Sequence, residues 1–198
     1  MGFEEDKGKA LRKFKKALEK KEVDEPIIYL LKLINSLDDY YTTSSCAGRV
    51  ILLHEFGTRK IDTNFIIKEH DKIDISELLS KELLNEIFSN GFRGRIWLNQ
   101  EPFIIHIVAR NLERGIEMLN LGLKAGLKHS GIFVFKKGRY ILELNGTQQM
   151  SVPIFDQGKI LISKSYFIYL LKLSNQKLQK NKEMRKRFES LVKKHFYG

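Results

Sequence analysis

The chain has 198 residues, 42% of them hydrophobic, which suffices for a continuous apolar core and excludes an intrinsically disordered protein. No apolar run approaches a membrane-spanning helix, the N-terminal residues lack the apolar centre of a signal peptide, and the single Cys46 leaves no internal disulfide, so the expected address is the cytoplasm, with no membrane. Thirty-five Lys and Arg against 24 Asp and Glu give a formal net charge of +11, which attracts polyanions through phosphate contacts but does not separate an enzyme from a binder.

Leu11, Phe14 and Leu18 recur at helical spacing, with Lys9, Arg12, Lys13, Lys15, Lys16 and Lys20 on the other faces, and predict an amphipathic opening helix. Asp24 and Pro26 end it and start a second helix, whose stripe is Ile27, Leu30, Leu31 and Ile34. Residues 38–48 read as a loop rich in small hydroxyl side chains, followed by a strand over 49–56 and its neighbour over 65–69. Asp74 and Glu77 have capping-box spacing for a helix over 74–89, and strands follow at 95–98 and 102–108.

Asn111 caps the next helix, whose core face is read as Leu112, Ile116, Leu119 and Leu123 and which ends at Gly126. Residues 130–135 and 139–144 predict a hairpin across Lys136, Lys137 and Gly138. Short strands at 150–154 and 159–162 precede a final helix over about 163–195, capped by Ser163 and roughly 45 Å long at the standard rise. Lys177, Lys180, Arg185, Lys186 and Arg187 make it a candidate track for an RNA backbone, while Leu170, Leu173, Leu178, Phe188 and Leu191 pack on the body.

The sum is one α+β domain over 1–198, mainly an antiparallel sheet flanked by helices. A helix leading into Ser45-Cys46-Ala47-Gly48-Arg49 and a strand is echoed by a helix leading into His129-Ser130-Gly131 and a strand, an old duplication or a chance likeness. Gly91 to Gly94 and Gly122 to Gly131 lack G-x-G-x-x-G spacing after a strand, which disfavours a Rossmann or P-loop fold.

The densest chemical signal is Tyr40-Tyr41-Thr42-Thr43-Ser44-Ser45-Cys46-Ala47-Gly48-Arg49. Consecutive small residues let backbone N–H groups converge on an anion, Gly48 can take the positive φ of such a nest, and Arg49 can clamp a carboxylate or phosphate. The plainer reading is a helix-to-strand loop holding a packed Cys46, since no histidine adjoins the thiol in sequence. Five histidines without an H-x-x-x-H or C-x-x-C pair predict no metal site. His106, amid Phe103, Ile104, Ile105, Ile107 and Val108, reads as a hydrogen-bonded histidine on a strand buried on both faces. Glu101, at that strand's entrance, can serve as a base or hold a ligand amine.

Taken together these stretches resemble the wybutosine-synthesising protein 3 family, the tRNA methyltransferases also described as wyosine-derivative N4-methylases. The likeness begins near Lys21-Glu22-Val23-Asp24-Glu25 and Ile34-Asn35, is sharpest over Tyr41 to Arg49, and continues through His70. It then covers Glu101-Pro102-Phe103-Ile104-Ile105-His106-Ile107, Ser130-Gly131-Ile132, Val152-Pro153-Ile154, Tyr166, Asn175 and Asn181, collinear over nearly the whole chain. The family commonly has Ser where Ala47 stands, often Trp before the histidine matching His70, and more often an arginine near Asn145-Gly146-Thr147.

The resemblance implies methyl transfer from S-adenosylmethionine to N4 of the tricyclic guanosine derivative at position 37 of phenylalanine tRNA, in an anticodon loop whose bases can be splayed out. It implies a cofactor- or substrate-binding set of Ser44, Ser45, Cys46, Gly48, Arg49, His70, Ser130, Gly131, Tyr166 and Asn175. Glu101 or His106 would accept the proton or orient the acceptor. The 44–49 and 130–131 segments are expected to face one cleft, with Arg49 on the cofactor carboxylate or an RNA phosphate. A sulfonium methyl is already electrophilic, so no covalent enzyme intermediate is required. The rival readings are a non-catalytic basic RNA-binding protein and a nuclease or ligase using histidines as acid and base.

Overall fold

A computed structural model describes residues 2–80, 93–136 and 139–198. Its elements are α1 (Phe3–Glu19), a 3-10 turn (Glu25–Ile27), α2 (Ile28–Asn35), β1 (Tyr40–Cys46), β2 (Arg49–Glu55), β3 (Thr63–Glu69), α3 (Ile75–Ser80), β4 (Arg95–Glu101), β5 (Ile104–Ala109), α4 (Leu112–Ala125), β6 (Gly131–Lys136), β7 (Arg139–Asn145), β8 (Met150–Asp156), β9 (Lys159–Ile160) and α5 (Lys164–Tyr197). The fold is α+β and antiparallel as expected, with two sheets among the described residues. Among the described residues no helix is long and apolar enough to cross a membrane.

The chain divides into two compact units, passing between them at 47/48, 101/102, 147/148 and 180/181. The first unit holds the four-stranded sheet β1-β5-β7-β6. One face of that sheet buries Tyr40, Ile105, Ile107, Leu142 and Leu144 against Leu30 and Ile34 of α2, Met118 and Leu121 of α4, and Phe188 and Val192 of α5. On the other face, Phe3 and Ala10 of α1 cover Tyr41, Val108 and Ile141. The second unit holds the sheet β3-β2-β4-β8-β9, whose apolar residues Val50, Leu52, Ile96, Leu98 and Ile154 pack on Phe167, Leu170, Leu171 and Leu178 of α5. Asn175 is buried there and clamps the chain before α3: its Oδ1 accepts the Ile73 N–H at 2.9 Å and its Nδ2 donates to the Ile73 carbonyl at 2.9 Å.

Local chemistry explains the element ends. The Asn111 side chain accepts the Arg114 N–H at 2.9 Å to start α4, and Gly126 closes it at φ 98°, where a Cβ would be strained. Asp74 accepts the Ser76 and Glu77 N–H groups at α3, and the Ser163 hydroxyl accepts the Tyr166 N–H at 3.2 Å at α5. The expected extension of α3 to residue 89 and the turn residues 137–138 lie outside the described residues. Glu117 of α4 ties three elements of the first unit together, accepting from Tyr40 at 2.7 Å, Arg114 at 2.8 Å and His195 at 2.8 Å. Burial alone would raise its carboxyl, but the hydrogen bonds from His195, Arg114 and Tyr40 outweigh that and bring it down to about 2.

Two expectations are corrected. Residues 40–46 are a strand rather than part of a loop. The face of α4 turned to the sheet is Gly115, Met118, Leu121, Gly122 and Ala125, while Leu112, Ile116 and Leu123 are exposed. Small residues win the inner face because helix and sheet approach closely: a Cβ on Gly122 would meet Leu144 Cδ2 at 2.9 Å.

Candidate functional site

The site begins with a defect in β1. Tyr41 pairs with Val108 and Thr42 with Ile107, but the next partner of β5, His106, faces Ser44, leaving Thr43 as a bulge. Side chains alternate along a strand, so if Thr43 itself paired with His106, Ser44 would oppose Ile105 and point into the core. The bulge moves Ser44 onto the opposite face, beside His106.

There a row runs straight across the sheet, Ser44 opposite His106, His106 opposite Glu143, and Glu143 opposite Gly131. Ser44 Oγ lies 2.7 Å from His106 Nδ1, and His106 Nε2 lies 2.8 Å from Glu143 Oε2. With its proton on Nε2, the neutral imidazole donates to Glu143 and accepts the Ser44 O–H. The His106 ring is 5.4 Å from that of Phe133, centroid to centroid. The strand is therefore not buried on both faces at this point: the His106 side chain is 28% exposed. A lone histidine among five apolar neighbours gives no hint of this, because Ile105 and Ile107 bury one face while His106 occupies the other.

Ser44 and Ser45 also line a cavity of about 500 Å³ between α1 and β1, with Lys13, Phe14, Glu22 and Thr43. The hydroxyl-rich stretch thus acts as a strand bordering a cavity. The nest predicted from consecutive small residues is not formed by Ser44 and Ser45, whose backbone belongs to the β1–β5 ladder. Gly48 does take the positive φ, at 87°. Cys46 ends β1 and is half-buried. Ser130 Oγ accepts the Asn145 N–H at 2.9 Å, which fixes the start of β6 and leaves Gly131 to meet the row.

In the second unit Arg49 and Glu101 are directly opposed on β2 and β4, and Arg49 Nε donates to Glu101 Oε2 at 2.5 Å. The Arg49 guanidinium also sits 5.2 Å from the Phe65 ring centroid, and His70 Nδ1 lies 3.1 Å from the Gly48 carbonyl. Tyr166 is exposed and stacks on Tyr169 at 6.0 Å. Of the basic positions on α5, Lys180, Lys186 and Arg187 are exposed and Lys177 is half-buried. Arg185 is only 4% exposed and donates to the Ala47 carbonyl at 3.3 Å, so its charge is spent within the first unit.

The structure therefore brings Ser44, His106 and Gly131 into one row and adds two residues the sequence did not single out, Glu143 and Phe133. Glu143 is recognisable only once β7 is paired to β5 in register, and Phe133, which the β6–β7 pairing skips, only through its ring contact with His106.

The model of the family described as Methyltransferase TYW3 matches residues 5–194. Among curated proteins, tRNA(Phe) 7-((3-amino-3-carboxypropyl)-4-demethylwyosine(37)-N(4))-methyltransferase 1 of Pyrococcus abyssi is 35% identical over 192 residues, covering 96% of this chain and 95% of that protein. The protein of the same name from Pyrococcus furiosus is 35% identical over 192 residues, covering 96% and 94%. Among solved structures, the PH1069 protein from Pyrococcus horikoshii superposes with a TM-score of 0.85 at 32% identity, covering 96% of each chain. A hypothetical protein from Aeropyrum pernix gives a TM-score of 0.66 at 25% identity, over 86% of this chain and 96% of that one.

Proposed function

The chain belongs to the Methyltransferase TYW3 family, and from that premise we propose that it is an S-adenosylmethionine-dependent methyltransferase acting on N4 of a demethylwyosine-type base in tRNA(Phe), the substrate named for its Pyrococcus relatives. The observation that carries the reading is the hydrogen-bonded row Ser44–His106–Glu143, a proton acceptor held in orientation on a solvent-accessible sheet face.

S-adenosylmethionine, when bound, would supply an electrophilic sulfonium methyl group to the ring nitrogen and leave as the thioether. The cavity beside β1 fits such a donor: its roughly 500 Å³ lies within the usual range for small-ligand sites. Thr43, Ser45 and Glu22 offer partners for ribose hydroxyls and an amine, Lys13 for a carboxylate, and Phe14 an apolar surface for an adenine. Ser44 borders both the cavity and the row.

As the new N–C bond forms, the acceptor nitrogen loses its proton. Ser44 passes that proton to His106 Nδ1, and Glu143 stabilises the resulting imidazolium through Nε2. Glu101 is held by Arg49, so His106 is preferred as the acceptor. Arg49, Gly48, His70 and Tyr166 of the second unit are assigned to contact with the RNA substrate, and exposed Lys180, Lys186 and Arg187 to the RNA backbone. Incubating the protein with methyl-labelled S-adenosylmethionine and tRNA(Phe) carrying the tricyclic precursor tests the reading: label is expected in the RNA, and none with a transcript bearing plain guanosine at that position. Unlabelled RNA in the first case rejects it.

A further inference from the structure

The sheet face that carries His106 is covered at one end by α1 and open at the other. At the open end Phe133 is 55% exposed, although an aromatic ring of that size forgoes most of its transfer free energy on the surface. Gly131 lies directly opposite Glu143, and Phe133, left out of the pairing where β6 shifts register between Ile132 and Val134, shares the His106 face, its ring 5.4 Å from that of His106. A Cβ built on Gly131 would meet nothing within 4 Å, which leaves open space over Gly131, opposite Glu143 and two residues from Phe133. Glu143 Oε2 accepts from His106 Nε2, and the Glu143 side chain is 37% exposed, which puts a carboxylate beside the open space over Gly131.

We propose that Phe133, Gly131 and Glu143 form a nucleobase subsite: a flat fused-ring base, splayed out of an RNA loop, stacks on the Phe133 ring, occupies the gap over Gly131 and sets a ring-edge N–H against Glu143. A polynucleotide is the matching occupant because the chain carries a net charge of +11, and the exposed lysines 128 and 136 lie on either side of Phe133 in sequence to take the flanking phosphates. Exposed aromatics on a sheet beside basic residues are a recurrent platform for unstacked bases. The subsite deepens the methyltransferase reading and rests on it, since it adds where the acceptor base lies relative to His106.

The test compares full-length wild type with Phe133→Ala, Phe133→Trp and Gly131→Val, using tRNA(Phe) bearing either the tricyclic base or plain guanosine at the target position. Gly131 lies outside the left-handed region and its Cβ direction is open, so the strand accepts valine and the melting temperature should hold. Phe133→Ala is expected to raise KM for the tricyclic tRNA roughly 5- to 150-fold with kcat changed only a few-fold, the span of base–aromatic stacking. Its Kd for the guanosine tRNA should stay unchanged. Gly131→Val should raise KM in the same way, and Phe133→Trp should restore it, with tryptophan emission quenched by the tricyclic tRNA alone. A Phe133→Ala protein with wild-type KM, or one weakened equally toward both tRNAs, overturns the subsite. If wild type transfers no methyl at all, the reaction fails instead, and quenching of Phe133→Trp by the tricyclic tRNA still decides the subsite, its absence overturning it.

Discussion

His106 is held on both nitrogens, by a hydroxyl on one side and a carboxylate on the other, so its ring plane and tautomer are set before any substrate arrives. Removing the ring should therefore cost more than removing either neighbour. His106→Ala is expected to lower kcat by roughly 100-fold or more, the usual weight of a positioned proton acceptor, and Glu143→Gln by less, with its pH–rate profile displaced. Cys46→Ser should retain most activity, because attack on a sulfonium methyl needs no thiolate; steady-state rates on folded variants check all three. Stability has its own residue-scale test at Glu117. A carboxyl depressed to about 2 contributes stability that is complete above its ordinary value near 4.5 and is lost as pH falls toward about 2. Glu117→Gln should cost roughly 1–3 kcal/mol at neutral pH and flatten the acid limb between those values, read from urea midpoints against pH.

The bulge at Thr43 is the irregular element beside the proposed chemistry, because Thr43 is left out of the ladder and Ser44, not Thr43, pairs with His106. Deleting Thr43 would place Ser44 directly after Thr42 and still opposite His106, so methyl transfer should stay within a few-fold of wild type, whereas Ser44→Ala, which removes the hydroxyl from His106 Nδ1, should lower kcat, though by less than His106→Ala; steady-state rates on folded variants check both. That element was illegible in the sequence for a physical reason. Its outer half, Thr43 to Cys46, shows no apolar alternation, and a bulge interrupts whatever period remains, so small hydroxyl residues looked like a loop. The opposite holds for α4, where Asn111 and Gly126 declared both ends through capping chemistry that depends only on local backbone. Its inner face was misread because Leu112, Ile116 and Leu123 form the more apolar stripe, yet close helix–sheet approach selected Gly115 and Gly122. The β2–β3 pairing and the β6–β7 hairpin were readable from turn signals and branched residues, which act over a few positions. The Ser45–Arg49 and His129–Gly131 stretches that echo one another occupy different places, one ending β1 and beginning β2, the other opening β6.

For the whole molecule, charge was a sound guide to partner class and a poor guide to individual residues. Arg185 is among the buried side chains although it lies in the most basic run of the chain, because a long helix with cores on its inner side turns some of its cations inward. Exposed Lys180, Lys186 and Arg187 should instead bind phosphates. Replacing all three with alanine is expected to weaken tRNA equally whether or not the tricyclic base is present, and to reduce the salt dependence of Kd by roughly 0.7–0.9 in log–log slope for each phosphate no longer neutralised. The row that links Ser44 to Gly131 was half-visible: the resemblance marked Ser44, His106 and Gly131, but their joining through Glu143 depends on pairings between segments far apart in sequence. The most direct measurement is mass spectrometry of nucleosides from precursor-bearing tRNA(Phe) after incubation with S-adenosylmethionine and either wild-type or folded His106→Ala protein. The account predicts a gain of one methyl on the tricyclic nucleoside with wild type and almost none with the variant; no gain with wild type, or equal gain with both, would contradict it.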